Sequence, residues 1–379
     1  MSRYAFLFAL ALFGVHANAQ INFAFVGGFT EGVPAEGIHV FRADSGAQSL
    51  REVWRGKDLV NPSFLTLSPD GRTLYACTES KLPDNGHVRA FAVDSLSGAL
   101  HELNARPSEG ENPVYVSVHP QGRWLVVANY TGSSITAFPL LKDGSIGEAA
   151  QHIAFAGKGS GVVPDRQEAS HVHAAVFSPD GRSLYVPDLG CDRIRAFAFD
   201  PDAPKPLRAE PALDVVCAPG SGPRHLAFHP DGRTAYSIEE LCGTLCIMHV
   251  DGGRLEQLQR VPSYAEKPAV GSSADVHVSP DGRFVYTSNR APEHSIGIFA
   301  VDTITGTVKP VGHESVVGQT PRTFAISPDG GHVLVANSAS RNAVLFRRDE
   351  KTGTLKYQGM LENLEGAAGV AWHTYAVAK

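Results

Sequence analysis

An all-β, seven-bladed propeller is the fold class this sequence predicts, and three observations predict it. A Pro-Asp-Gly-type turn recurs six times at near-constant spacing, short apolar strands flank each copy, and amphipathic helical runs are missing. The turns read Ser68-Pro-Asp-Gly-Arg72, His119-Pro-Gln-Gly-Arg123, Ser178-Pro-Asp-Gly-Arg182, His229-Pro-Asp-Gly-Arg233, Ser279-Pro-Asp-Gly-Arg283 and Ser327-Pro-Asp-Gly-Gly331. Their prolines lie 51, 59, 51, 50 and 48 residues apart. Pro sets φ, Asp bonds back onto the backbone, and Gly takes the positive φ of a tight reversal.

Each turn follows an apolar strand such as Leu226–Phe228 or Phe324–Ile326 and precedes another such as Leu184–Val186 or Phe284–Tyr286. A third strand follows, as at Ser134–Phe138 and Ser295–Phe299, and then a weaker fourth. Four strands in roughly 50 residues make one propeller blade. Residues 20–379 number 379 − 19 = 360 and hold about seven such repeats, yet six turns are visible. The seventh blade is expected from both ends: Gly366–His373 as the inner strand, with Phe23–Phe29 and Gly37–Phe41 as the second and third. Such closure removes exposed sheet edges. One period running through the chain also counts against two stacked sandwiches.

Met1–Ala19 reads as a secretory signal peptide: Arg3 gives a positive start, Tyr4–Val15 is apolar, and Ala17-Asn18-Ala19 is a small-residue cleavage site. The apolar run is shorter than the roughly 20 residues of a membrane span. The expectation is therefore a periplasmic or secreted protein with one propeller domain at 20–379 and no membrane insertion once the signal is removed. Hydrophobic residues at 43% and charged residues at 19% exclude a disordered or coiled-coil chain. A net charge of −6 gives no nucleic-acid footprint. Five cysteines (Cys77, Cys191, Cys217, Cys242, Cys246) show no CxxC pattern, and the odd count leaves at least one outside any intrachain disulfide.

Aligning the repeats on the turn proline locates a site. Six residues before it stand Ser63, Val114, His173, Arg224, Ala274 and Arg322, with Ala368 in the terminal repeat. Ten after it stand Glu79, Tyr130, Leu189, Glu240, Arg290 and Ser338, with Phe29 in the closing blade. In an antiparallel hairpin these positions are near cross-strand neighbours, so both belong to one rim of the central channel. That rim gathers His173, Arg224, Glu240, Arg290 and Arg322, with Glu79, Tyr130 and Ser338 around them. Unpaired buried charge is costly, so such strand ends are poor core and good site.

Weaker candidates stand beside it. His171-Val172-His173 has no third ligand close in sequence, and no metal is expected. His225 and His277 read as satisfied strand residues. The segments Gly157–Gly161 and Gly220–Gly222 lead into no helix and so read as ordinary loops, the second shaping the approach to Arg224. The sequon Asn129-Tyr130-Thr131 falls at a strand end and reads as incidental.

Five segments carry a family resemblance: residues 171–180 (HVHAAVFSPD), 185–193 (YVPDLGCDR), 222–230 (GPRHLAFHP), 239–241 (EEL) and 274–282 (ADVHVSPDG). The chain resembles the lactonase family of seven-bladed propellers, of the 6-phosphogluconolactonase and 3-carboxy-cis,cis-muconate lactonizing enzyme type. The likeness covers the whole of 20–379. There is no Trp-Asp dipeptide of a WD repeat. The family's active-site His, two arginines and glutamate fall on His173, Arg224, Arg290 and Glu240. The family glutamate often follows Asn; here Glu239 stands there, with its side chain expected on the opposite face.

The resemblance implies hydrolysis of a sugar-derived, anionic lactone by a monomer without cofactor. In that chemistry Glu240 or His173 takes a proton from water and the other protonates the leaving alkoxide. Arg224 and Arg290 hold the oxyanion or an anionic substituent. His171, Tyr130 and Glu79 are expected substrate contacts, and Arg322, which the repeat alignment offers without family support, is a further anion clamp. Two other readings stand beside it: a lactonizing cycloisomerase, and an exported propeller that binds without turnover. Export favours an unphosphorylated or differently charged lactone, because phosphorylated sugar lactones are cytoplasmic metabolites.

Overall fold

The computed structural model describes residues 20–31, 35–44, 49–78, 86–266 and 268–376. The segment read as a signal peptide and Glu79 lie outside the described residues. The described chain forms seven antiparallel sheets, each with a four-strand path from the channel outward. The first is Pro62–Leu67, Thr73–Thr78, His87–Val93 and Leu100–Pro107. Blades four to six repeat this plan from Pro223–Phe228, Ser273–Val278 and Pro321–Ile326. In the third the inner strand shrinks to Val176–Phe177, with Val172 bridged singly to Asp188.

The closing blade joins the two ends as the sequence predicts. Ala367–Ala376 pairs with Gln20–Gly28, which pairs with Ile38–Ala43. Tyr375 Oη fastens this strand to Gly71 O at 2.7 Å, in the first turn of the neighbouring blade. The core lies mainly between blades. Tyr236, Ile238 and Ile247 of blade four pack with Val276, Val285 and Phe299 of blade five, and the other clusters follow the same plan.

The turns also lock in a repeating way. Ser68, Ser178, Ser279 and Ser327 each donate Oγ–H to the turn aspartate, which also accepts from the backbone N–H two residues on. Where His replaces Ser, the ring reaches the next blade: His119 Nε2 to Gly181 O at 3.0 Å and His229 Nε2 to Gly282 O at 2.9 Å. Gly181 and Gly282 sit at φ near +70°, and a Cβ on either would fall within 2.6 Å of the histidine ring. No disulfide links the five cysteines. Among the described residues no helix is long and apolar enough to cross a membrane.

Candidate active site

The position six before each turn has a structural identity. Strand pairing slips between Pro62 and Phe64, Pro113 and Tyr115, Pro223 and His225, Ser273 and Val276, and Pro321 and Thr323. Ser63, Val114, Arg224, Ala274 and Arg322 are therefore bulge residues, and a bulge re-aims its side chain at the rim of a closed sheet. The position ten after is held opposite: Glu240 N donates to Gly222 O at 2.8 Å and Arg290 N to Ser272 O at 3.0 Å.

Glu240 is the centre of the charges so assembled. Its side chain is 3% exposed, and three guanidinium groups meet it. Arg166 Nη2 donates to Oε1 at 2.7 Å, while Arg290 Nη2 and Arg224 Nε stand 3.0 and 3.1 Å from Oε2. The Arg224 Nε contact is a charge contact, because its N–H lies off the line a hydrogen bond needs. Burial pushes the Glu240 carboxyl up, but Arg290, Arg166 and Arg224 outweigh it and hold it at about 2.

Arg224 is 1% exposed, and its Nη1 donates to Ala274 O. Burial, then Arg322 and Arg290, bring this guanidinium down to about 9 against the pull of Glu240 and Asp275. Arg290 stands nearer solvent, with Nε donating to Ser272 O at 3.1 Å. Arg322 lies over the Phe29 ring at 4.9 Å and is close enough to Arg224 and His173 to lower both.

His173 packs edge-on to Tyr130 and His225, with ring centroids 5.4 and 5.3 Å away, and its Nδ1 is buried without a hydrogen-bond partner. Burial first, then Arg224, His225 and Arg322, hold its imidazole well below the usual range, so the ring is neutral. His171 is turned elsewhere: Nδ1 contacts Tyr130 O at 3.2 Å, Nε2 contacts Glu168 at 2.8 Å, and the ring stacks on Tyr130 at 4.6 Å. It supports Tyr130 instead of facing the cluster. The Tyr130 hydroxyl accepts from Arg166 at 3.4 Å, which ties the aromatic wall to the ion cluster.

Arg166 escaped the repeat comparison because it lies in no repeat position. It belongs to the 155–175 segment that makes the 59-residue turn spacing the longest, and that excess length was its one signal in the sequence. Asp192 anchors the segment. It accepts from Gln167 Nε2 at 2.7 Å and from the backbone of Gly220 and Gly222 at 2.7 and 2.8 Å. Both glycine-containing loops are thus pinned beside the mouth by one carboxylate. Glu239 turns away to Arg260, as expected. Asn129 is fully buried, with Nδ2 donating to Ser108 O and Ser134 Oγ, so its sequon is inaccessible in the fold.

A seven-bladed scaffold whose rim joins a neutral His, a buried Glu and several arginines defines a class of small-molecule enzyme, and the family model described as "Lactonase, 7-bladed beta-propeller" matches residues 23–370. The chain belongs to this lactonase family. It is similar to the 6-phosphogluconolactonase of Formosa agariphila, 40% identical over 356 residues that cover 93% of this chain and 99% of that one. The 6-phosphogluconolactonase of Bacillus subtilis is 33% identical, covering 87% and 92% of the two chains. Among solved structures, the periplasmic gluconolactonase of Pseudomonas aeruginosa superposes with a TM-score of 0.86 at 36% identity, covering 93% and 99%.

Proposed function

We propose that this protein hydrolyses a sugar-derived lactone bearing an anionic group, with His173 as general base. One observation carries the choice of base. Glu240 is saturated by three guanidinium groups and has a carboxyl near 2, whereas His173 is neutral with an unpartnered Nδ1. A carboxylate that weakly basic takes a proton poorly at neutral pH. Glu240 instead organises Arg166, Arg224 and Arg290.

In the reaction His173 removes a proton from water as the oxygen attacks the lactone carbonyl. Arg290, the least buried of the two arginines on Glu240 Oε2, stabilises the tetrahedral oxyanion. The ring C–O bond then breaks, and protonated His173 returns its proton to the leaving alkoxide. Lactone and water become one hydroxy acid. Arg166 and Arg322 bind the anionic substituent, because a guanidinium fork matches the oxygens of a carboxylate or phosphate.

The Met1–Ala19 segment supports export, and export favours an aldonolactone found outside the cytoplasm. The periplasmic gluconolactonase named above supports the same substrate class. The test is a panel of aldonolactones and phosphorylated lactones scored by proton release, with wild type and His173→Ala in parallel and product masses recorded. Turnover by wild type alone, with products heavier by one water, is expected. Binding without turnover makes the protein a ligand-binding propeller, and a product of unchanged mass makes it a cycloisomerase.

A further inference from the structure

Beneath the charge cluster a second polar chain runs along the channel, through residues the hydrolytic reading does not use. His225 follows Arg224 directly, and a regular strand would turn the two to opposite faces. The bulge at Arg224 lets both turn inward, and both are buried. The His225 ring is wedged edge-on against Phe64, Tyr115 and His173. Its Nδ1 lies 2.7 Å from Asp275 Oδ1, on blade five, and its Nε2 lies 3.1 Å from Arg224 Nη1.

Asp275 is saturated. Besides His225 it accepts from His277 Nε2 at 3.0 Å and from the backbone N–H of Val276 and Phe324 at 2.9 and 3.3 Å. An ionised carboxylate only accepts, so His225 Nδ1 carries the proton, while Arg224 Nη1, 3.1 Å from Nε2 and 3.5 Å from Nδ1, lies against the face of the ring. Burial together with the neighbouring Arg224 keeps the His225 ring neutral, as this arrangement requires.

We propose that Asp275 and His225 are positioning residues for the reaction: Asp275 fixes the His225 ring in place, and the face of that neutral ring holds the Arg224 guanidinium toward Glu240. Arg224 is thereby held from two blades, through Ala274 O and through the His225–Asp275 pair. The rim arginine is set from inside the channel. This inference rests on the reading of Arg224 and Glu240 given above.

A double-mutant cycle tests it, with glucono-1,5-lactone and its 6-phosphate as probes. His225→Leu is expected to lower kcat about tenfold or more with a smaller change in KM, a size typical of coupled neighbours. His225→Gln, which keeps a planar face for Arg224 and an N–H for Asp275, is expected to restore most of that loss. In an Arg224→Ala background His225→Leu is expected to cost less than about twofold, because its route of action is gone. Equal losses in both backgrounds, or a Gln variant as poor as Leu, overturn the proposal. If His225→Leu does not fold, Asp275→Asn in the two backgrounds gives the same cycle. Full activity in Arg224→Ala alone defeats the underlying reading of Arg224 as well, whereas additive losses defeat only the positioning role.

Discussion

Arg166 Nη2 lies 2.7 Å from Glu240 Oε1, so a loop residue closes a charge cluster whose other members stand on propeller strands or directly after them. The Arg166 side chain is 40% exposed while that of Glu240 is 3% exposed. Arg166 is therefore the solvent-side cover of a buried carboxylate. An incoming anion meets this guanidinium before it meets Arg224.

Arg166→Ala is expected to lower kcat/KM for an anionic lactone by about 10- to 100-fold, chiefly through KM, the size of one lost charge-assisted contact. Arg166→Lys should recover only part, because an ammonium is a compact, strongly hydrated point charge without the planar guanidinium's preorganised donors. Steady-state kinetics with neutral and anionic lactones check this. Equal losses on both substrates would count against an anion-selecting role.

His173→Ala is expected to reduce kcat by about 100- to 10,000-fold with the fold retained, the usual contribution of a positioned acid–base group. The wild-type pH profile carries a second signature. Neutral His173 is the active form, and its pKa lies well below 6.5, so activity persists into mildly acidic solution and fails as pH falls through that depressed value. Arg224 and Arg322 contribute to the depression, and a bound anion offsets them. The acid limb of kcat should therefore sit at higher pH than that of kcat/KM when the substrate is anionic.

Glu240→Gln removes the shared counter-ion of Arg166, Arg224 and Arg290. Leaving buried charge without its partner costs about 3–5 kcal/mol. Denaturant melts should show a loss of that order together with lost turnover. A variant that lost turnover at full stability would instead mark Glu240 as the base.

Stability should also fall in mild acid. His225 is held down to about 4 and His173 well below 6.5, each by burial first. Below 6.5 the unfolded chain takes up protons that these rings refuse in the fold. Stability is therefore complete above 6.5 and declines as pH falls through the window down to about 4. Thermal melts across that window check the slope, and His225→Gln should reduce it by about one proton.

Much of the fold was legible because its signals are local. Pro, Asp and Gly at fixed offsets specify a reversal wherever they occur, and six copies at a common spacing specify a blade. The sharing of the seventh blade between Ala367–Ala376 and Gln20–Gly28 followed from counting repeats. The rim position of His173, Arg224, Glu240 and Arg290 was equally legible, because equal offsets from equivalent turns bring residues to equivalent places.

Partnerships across blades were not legible. Arg166 belongs to an insertion, and bonds such as those of Gln167 to Asp192 and Leu189 bring it over Glu240. His171 is an expected substrate contact, but the fold spends both its ring nitrogens on Tyr130 and Glu168. His225 and Asp275 stand at the same offset from their turn prolines in adjacent blades, but the offset alone does not say that the two side chains meet. From the chain alone come the number of blades, the closure and the rim on which charge collects, since these follow from short-range backbone preferences repeated at one interval. Which carboxylate is saturated, which imidazole stays neutral and which guanidinium is held from within depend on burial and on distances between residues far apart in sequence, and only the folded molecule sets those.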